Sequence, residues 1–352
     1  MDKNTKPDFK DQFIHVGLDT HKNSWKVTER NNKMELKTFS TDPGEKKLLT
    51  SLNNRYPGAK IVVAYEAGFT GFSTYRKFKE LGVDCLVVHP GHIPTNSAER
   101  IQKTDQRDSR KIARELENGS LKSIFIPDEA DEAFRSLVRS LGDLTTKTTR
   151  VKNQISSFLL CHGLLSSKPK SNGWSIQFRK ELRQMKLSSV CLRVKLNLLL
   201  DELDFFIQQK RTLDKQLKEL NQDNQTIDAL MSVSGIGWIS ALKLKSELIS
   251  MDRFPNNDHL AAFVGLVPAT HSSGEHERTL GLVSSGHSEL RSLLVEAAWI
   301  AVRKDPAMTL YFSKTAARKE RNKAIIQVAR KLLNRIRAVW ISGKDYQFSK
   351  TA

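Results

Sequence analysis

The stretch FIHVGLDTHKNSWKVTERNNKMELKTFS, residues 13–40, decides the fold class. It divides into three runs, FIHVGLD (13–19), SWKVTER (24–30) and MELKTFS (34–40), rich in β-branched and apolar residues and separated by polar turn residues. This spacing predicts a β-meander. Working outward, a helix is expected after the DPG at 42–44. A buried strand KIVVAYEA (60–67), a helix from about 72 to 81 and a further strand DCLVVHP (84–90) follow. A helix is predicted from near Asp108 to about 118–119, before a strand KSIFIP at 122–127. Three meander strands followed by alternating helix and strand describe a mixed α/β sheet.

The 352-residue chain carries 57 Lys and Arg against 39 Asp and Glu, a net charge of +18. A polyanion is therefore the expected partner, nucleic acid ahead of an acidic membrane surface. No apolar run approaches the ~20 residues needed to span a bilayer, and the polar start MDKNTKPDFKDQ does not resemble a secretory signal. Cys85, Cys161 and Cys191 are scattered, which argues against a disulfide framework or a thiolate zinc site and for a reducing cytoplasm. No Walker A pattern is present.

Three domains are expected: an α/β domain over 1–128, a helical linker over 129–228 and a mostly helical domain over 229–352. In the second, Phe134, Leu137, Leu141, Leu144, Thr148, Val151, Ile155 and Phe158 keep the four-three spacing of a coiled-coil seam. Leu196, Leu199, Leu203, Phe206, Lys210, Leu213, Leu217 and Leu220 repeat it. Two long helices can pair as an antiparallel hairpin within the chain or zip with another subunit; the spacing does not choose. Beyond 229, SGIG (234–237) opens a helix, and GLVPATHSSGEHERTLG (265–281) reads as an irregular loop. Residues 313–340 form a basic amphipathic helix or helix pair, with Ile325, Val328, Leu332, Leu333 and Ile336 on the apolar side. Its Arg and Lys side can follow a phosphate backbone or simply face water.

Four carboxylates fall at informative places. Asp19 ends the first strand and Glu66 the fourth, so the two emerge at one edge if those strands are neighbours. Asp105 and Asp108, in KTDQRDSRKIA, stand at i and i+3 on one helix face. Four acids this close repel unless a cation sits among them, and hard oxygen ligands select Mg2+. Two such ions ~3.5–4 Å apart suit an in-line phosphoryl displacement. Lys103, Arg107, Arg110 and Lys111 would then hold the polyanion. Asp108 as a helix N-cap and Asp105 in a surface ion pair are the plainer readings of those two residues.

The order strand-Asp, strand-Glu, Asp-x-x-Asp resembles the RuvC-like, RNase H-fold domain of the DEDD transposases of the Piv/MooV, or insertion-sequence-one-ten, class. LMSVSGIGWISALKLKSEL (230–248), AAFVGLVPATHSSG (261–274), LGLVSSGHSELRSLLVEAAW (280–299) and ARKERNKAIIQVARKLLNRIRAVW (317–340) resemble its later segments. Ser234 stands where the class usually has proline, and His287 where it commonly has Asn or Asp. The resemblance implies an RNase H-like domain joined through a coiled coil to a helical transposase domain with a nucleophilic serine. It implies metal ligation by Asp19, Glu66, Asp105 and Asp108 with two Mg2+ ions, and Ser273 as nucleophile. Donor and target DNA, a structured noncoding bridge RNA as guide, and a homodimer assembling to a tetramer are the implied partners, in a bacterial, nucleoid-associated setting.

A serine there suits the chemistry, because a phosphoserine ester conserves bond energy that a second DNA end can use. Arg278 and Arg291 are candidates to offset phosphate charge. Ser272 competes with Ser273 by adjacency, and His271 and His276 are possible proton carriers. The alternatives are a structure-selective endonuclease using metal-activated water, a protein-guided DNA invertase, and a non-catalytic nucleic-acid-binding protein.

Overall fold

A computed structural model describes residues 9–94, 105–165, 173–273 and 276–348, with side chains at all of these except 92, 105, 106 and 270–280. Lys103 lies outside the described residues. The chain divides into two compact units, residues 1–126 and 127–352.

The first unit is a five-stranded mixed sheet in the order β3-β2-β1-β4-β5. β1 (Phe13–Thr20), β2 (Trp25–Asn31) and β3 (Met34–Thr41) form the predicted antiparallel meander. β4 (Lys60–Glu66) pairs parallel with β1, and β5 (Asp84–Val88) parallel with β4. Helices α1 (Glu45–Arg55) and α2 (Ser73–Glu80) are the crossovers such parallel pairs require. They cover one face, where Ile14, Val16, Leu18, Val27, Val63 and Tyr65 pack with Leu48, Leu52 and Phe78. Helix α3 (Asp105–Glu117) covers the other, with Ile112 and Leu116 against Ala64 and Val88.

Two expectations need correction. α3 already includes Asp105, so Asp108 sits within its first turn and is not its N-cap. The segment 122–127 is not a strand: it touches β5 through one bridge, Val88 with Ser123, and the Ile124 N–H to Val87 O bond. Pro127 then has no N–H with which to extend a ladder.

The second unit is built on α4 (Glu129–Cys161) and α6 (Val190–Leu220), which run antiparallel within the chain. Near the far end Val151, Ile155 and Leu159 pack with Leu196, Leu199, Leu200 and Leu203, joined by Leu182 of α5 (Ile176–Gln184). At the near end Val138 and Leu141 meet Leu213 and Leu217. The expected seam residues are largely inside, although Leu220 is exposed.

The near end shares one core with α7 (Gln225–Met231), α8 (Trp238–Leu248), α9 (Asn257–Val264), α10 (Ser288–Lys304), α11 (Pro306–Ala316) and α12 (Arg321–Ser342). The SGIG turn joins α7 to α8. Gly235, at φ +92°, lies so close to Ala297 of α10 that a Cβ would overlap its carbonyl oxygen, which explains glycine there. The basic C-terminal segment is a helix pair, and Ile325, Val328, Leu332, Leu333 and Ile336 of α12 are buried. Several of its cations are paired within the chain: Arg330 with Asp258 at the surface, Arg335 with the buried Asp305, and Arg337 with the Phe254 carbonyl.

Residues 265–281 also differ from expectation. They contain an antiparallel hairpin, β6 (Pro268–Ser273) and β7 (His276–Leu282). Its strands are too polar to show the apolar alternation by which a hairpin is read.

Candidate functional site

The acidic site begins with strand register. β1 and β4 pair through Leu18 and Tyr65, so Asp19 and Glu66 are the next residues on neighbouring strands, ~4.8 Å apart. Leu18 and Tyr65 are fully buried on the α1/α2 side. Strand alternation therefore gives Asp19 and Glu66 to the opposite face, the one α3 covers, together with Gly17 and Ala64.

The direction of α3 completes the placement. At its C-terminal end Glu117 accepts hydrogen bonds from Arg30 Nε (2.8 Å) and the Lys33 amide (2.6 Å), at the level of His15, which pairs with Arg30. Further back, Ser109 Oγ lies 3.0 Å from Thr28 Oγ1, and the helix backbone presses on Gly17. Asp105 stands four residues, ~6 Å, beyond Ser109 along the helix. Asp19 stands two residues, ~7 Å, beyond Gly17 along the strand. The first turn of α3 and the ends of β1 and β4 thus share one end of the sheet. Asp19 is mostly buried, and its Oδ2 lies 3.2 Å from His21 Nε2.

Among the described residues, which exclude the Asp105 side chain, no three His, Cys, Asp or Glu side chains are gathered as for a metal ion. The donor set is nonetheless made of carboxylate oxygens without thiolates, the chemistry that suits a hard divalent cation. Along α3, Arg107 is exposed, Lys111 partly so, and Arg110 Nε pairs with Glu35 Oε1 at 3.0 Å.

In the second unit, the β6–β7 register sets Ser273 opposite His276, Ser272 opposite Glu277 and His271 opposite Arg278. Alternation assigns the positions of Ser273, His276, His271 and Arg278 to one face of the ribbon and those of Ser272 and Glu277 to the other. The base of the hairpin is well tied. The Val283 amide donates to Val267 O (3.1 Å) and the His287 amide to Phe263 O (2.9 Å). Arg291 Nη1 donates to Val283 O (2.7 Å) and Gly265 O (3.3 Å).

His287 fills the N-cap of α10: its Nδ1 accepts from the Leu290 amide at 3.3 Å, the task an Asn or Asp side chain performs at such a position. Its Nε2 lies 3.2 Å from Glu247 Oε2. Glu247, on α8, also receives both Nε (2.7 Å) and Nη2 (2.9 Å) of Arg139 from α4. Burial pushes the Glu247 carboxyl up, but the hydrogen bonds from His287 and Arg139 and the charge of Arg139 outweigh it and bring it down to about 2. Beside it Arg253 donates to the Glu247 and Leu248 carbonyls; burial and the neighbouring Arg135 lower its guanidinium to about 10. Sequence reading missed the Glu247, His287 and Arg139 group, because its members lie on three separate elements.

Comparison with known proteins agrees with both units. Residues 16–162 match a family model for DEDD transposases of the IS110 type, described as a transposase. Residues 227–313 match the model described as the transposase IS116/IS110/IS902 family. A putative transposase, y4qE, of Sinorhizobium fredii is 27% identical over 296 residues, covering 83% of this chain and 72% of that protein. The transposase for insertion sequence element IS1533 of Leptospira borgpetersenii is 27% identical over 297 residues, covering 81% and 84%. The transposase for IS1111A of Coxiella burnetii is 25% identical over 266 residues, covering 73% and 71%. No helix among the described residues is long and apolar enough to cross a membrane.

Proposed function

Because the chain belongs to the IS116/IS110/IS902 transposase family, and so is an enzyme of DNA cleavage and transfer, we propose that it recombines DNA through a metal-carboxylate and serine site with a covalent phosphoserine intermediate. The observation that carries this reading is the meeting of Asp19, Glu66 and the first turn of α3 at one end of the sheet.

Asp19, Glu66, Asp105 and Asp108 hold Mg2+ in this reading. When bound, a pair of such ions activates an oxygen nucleophile and offsets charge on the leaving oxygen. Ser273 supplies the nucleophile: its Oγ–P bond forms as a deoxyribose oxygen–phosphorus bond breaks. The serine proton passes to a base, for which His276, opposite in the register, is the candidate, and the leaving oxygen takes up a proton. Attack on the phosphoserine by the hydroxyl of a second DNA end reverses these steps and joins the strands. Arg107, Arg110, Lys111 and Arg278, with Lys103, supply cations for the backbone.

Asp19 and Ser273 belong to different compact units, so the reading requires them to be brought together on DNA, within one chain or between copies of a dimer or tetramer. A structured RNA encoded beside the gene is the proposed guide, consistent with the net charge of +18.

The test incubates the purified chain with Mg2+, donor and target DNA and the RNA flanking its gene. Joined products and a protein–DNA adduct mapping to Ser273 are expected, both lost in Ser273→Ala. A Ser273→Ala chain that still cuts without joining would instead favour the endonuclease that uses metal-activated water.

A further inference from the structure

The hairpin bearing Ser273 is a two-stranded ribbon, a unit of marginal stability by itself. What orients its tip must therefore lie at its base, where the chain leaves α9 at Gly265 and returns at 283–287. The two roots are in backbone contact. A Cβ on Gly286 would overlap the N and Cα of Gly265 and stand 3.0 Å from Val264 C, and Gly265 itself has φ +81°. Neither position accepts a side chain without parting the roots. Across this seam lies one guanidinium nitrogen: Arg291 Nη1 donates to Val283 O on the returning strand and to Gly265 O on the departing one.

Arg291 reaches the seam from the first turn of α10. That turn is capped by His287, and Glu247 lies against the outer nitrogen of the His287 ring. Glu247 is in turn held by Arg139, so the base of the hairpin is referenced to α8 and α4 of the same core.

We propose that Arg291 is a positioning residue that locks the root of the Ser273 hairpin, with Glu247 and His287 fixing the helix end from which it reaches. The proposal rests on the reading of Ser273 as nucleophile. A planar guanidinium can satisfy two carbonyls in fixed directions, which a lysine ammonium on a flexible stem does not reproduce. Because a misplacement of about 1 Å at a reacting group can cost ~100-fold in rate, a loosened root has a large kinetic effect at the tip.

The test uses the full-length chain as Arg291→Ala and Arg291→Lys, with Glu247→Gln as a variant that reaches the seam only through His287. Three quantities are read: hydrogen exchange at the Val283 and His287 amides, the salt dependence of DNA binding, and the single-turnover rate of strand joining at saturating DNA. Both Arg291 variants are expected to exchange those amides faster and to join strands roughly 100-fold more slowly, with the salt slope of binding unchanged. Glu247→Gln should quicken His287 exchange, and guanidinium ion should restore part of the Arg291→Ala rate. A salt slope reduced by about 0.9, the mark of one lost phosphate contact, with amide protection intact would overturn the proposal. Failure of the nucleophile reading is distinguishable, because it appears as full activity in Ser273→Ala and leaves the exchange result as it was.

Discussion

Gly17 of β1 and Ser109 of α3 lie backbone against backbone: a Cβ on Gly17 would overlap the Ser109 carbonyl oxygen and stand 2.9 Å from Ala113 Cα. This close approach seats α3 on the sheet and sets the height of its first turn above Asp19 and Glu66. Gly17→Ala must lift or tilt the helix. It is expected to cost roughly 1–3 kcal/mol of stability, the usual range for overpacking. Mg2+-dependent DNA cleavage should fall much further than the melting temperature suggests, and parallel thermal melts and cleavage rates check this. A variant that melts lower but cleaves at the parent rate would show that the contact does not position the acids.

Neighbouring carboxylates at the ends of β1 and β4 repel one another unless a cation sits between them. Asp19→Asn removes one of the like charges at the end of the sheet, so in chelator it should melt at or above the parent temperature. Added Mg2+ should raise the parent melting point, by about 2.7 kcal/mol of stabilisation at a hundred times the dissociation constant, and leave the variant nearly unmoved. Cleavage should be lost throughout. An equal Mg2+ response in both chains would separate Asp19 from the cation site.

Glu247 predicts a pH window. Its carboxyl is lowered from 4.5 to about 2 in the folded chain, so the unfolded chain takes up the proton first as the pH falls. The contribution of Glu247 is complete above about 4.5 and is lost progressively down to about 2. Glu247→Gln should cost roughly 3 kcal/mol near neutrality, since it strips the partner from Arg139 and His287. The gap between variant and parent should then close across that window, as read from denaturant midpoints at several pH values. A constant gap would rule out the linkage.

The three cysteines divide by environment. Burial raises the Cys85 thiol to about 12, whereas Cys161 and Cys191 are exposed. Alkylation of the native chain should modify Cys161 and Cys191 within minutes and spare Cys85 until denaturant is added, as peptide mass mapping would reveal.

Much of the first unit was legible because its signals are local. The runs at 13–19, 24–30, 34–40 and 60–67 alternate or concentrate apolar residues, and the parallel pairing of β1 with β4 met the condition for Asp19 and Glu66 to be neighbours. The start of α3 was read a turn late, since KTDQRDSR has no apolar residue to mark its first turn. The strand expected at 122–127 failed because an apolar run does not by itself reveal whether it pairs along a neighbouring strand, and this one meets β5 in a single bridge. The hairpin at 268–282 was hidden by polar strands. The Arg291 seam and the Glu247 group were out of reach, because pairings between residues 265, 283 and 291, or 139, 247 and 287, leave no periodic trace.

Strand alternation makes β1 sensitive to parity. Adding or deleting a single residue between Phe13 and Asp19 would exchange the two faces, sending the carboxylate into the oily layer under α1 and α2 and a leucine toward the face that α3 covers. Viable natural relatives should therefore keep the spacing between Phe13 and Asp19 to the residue.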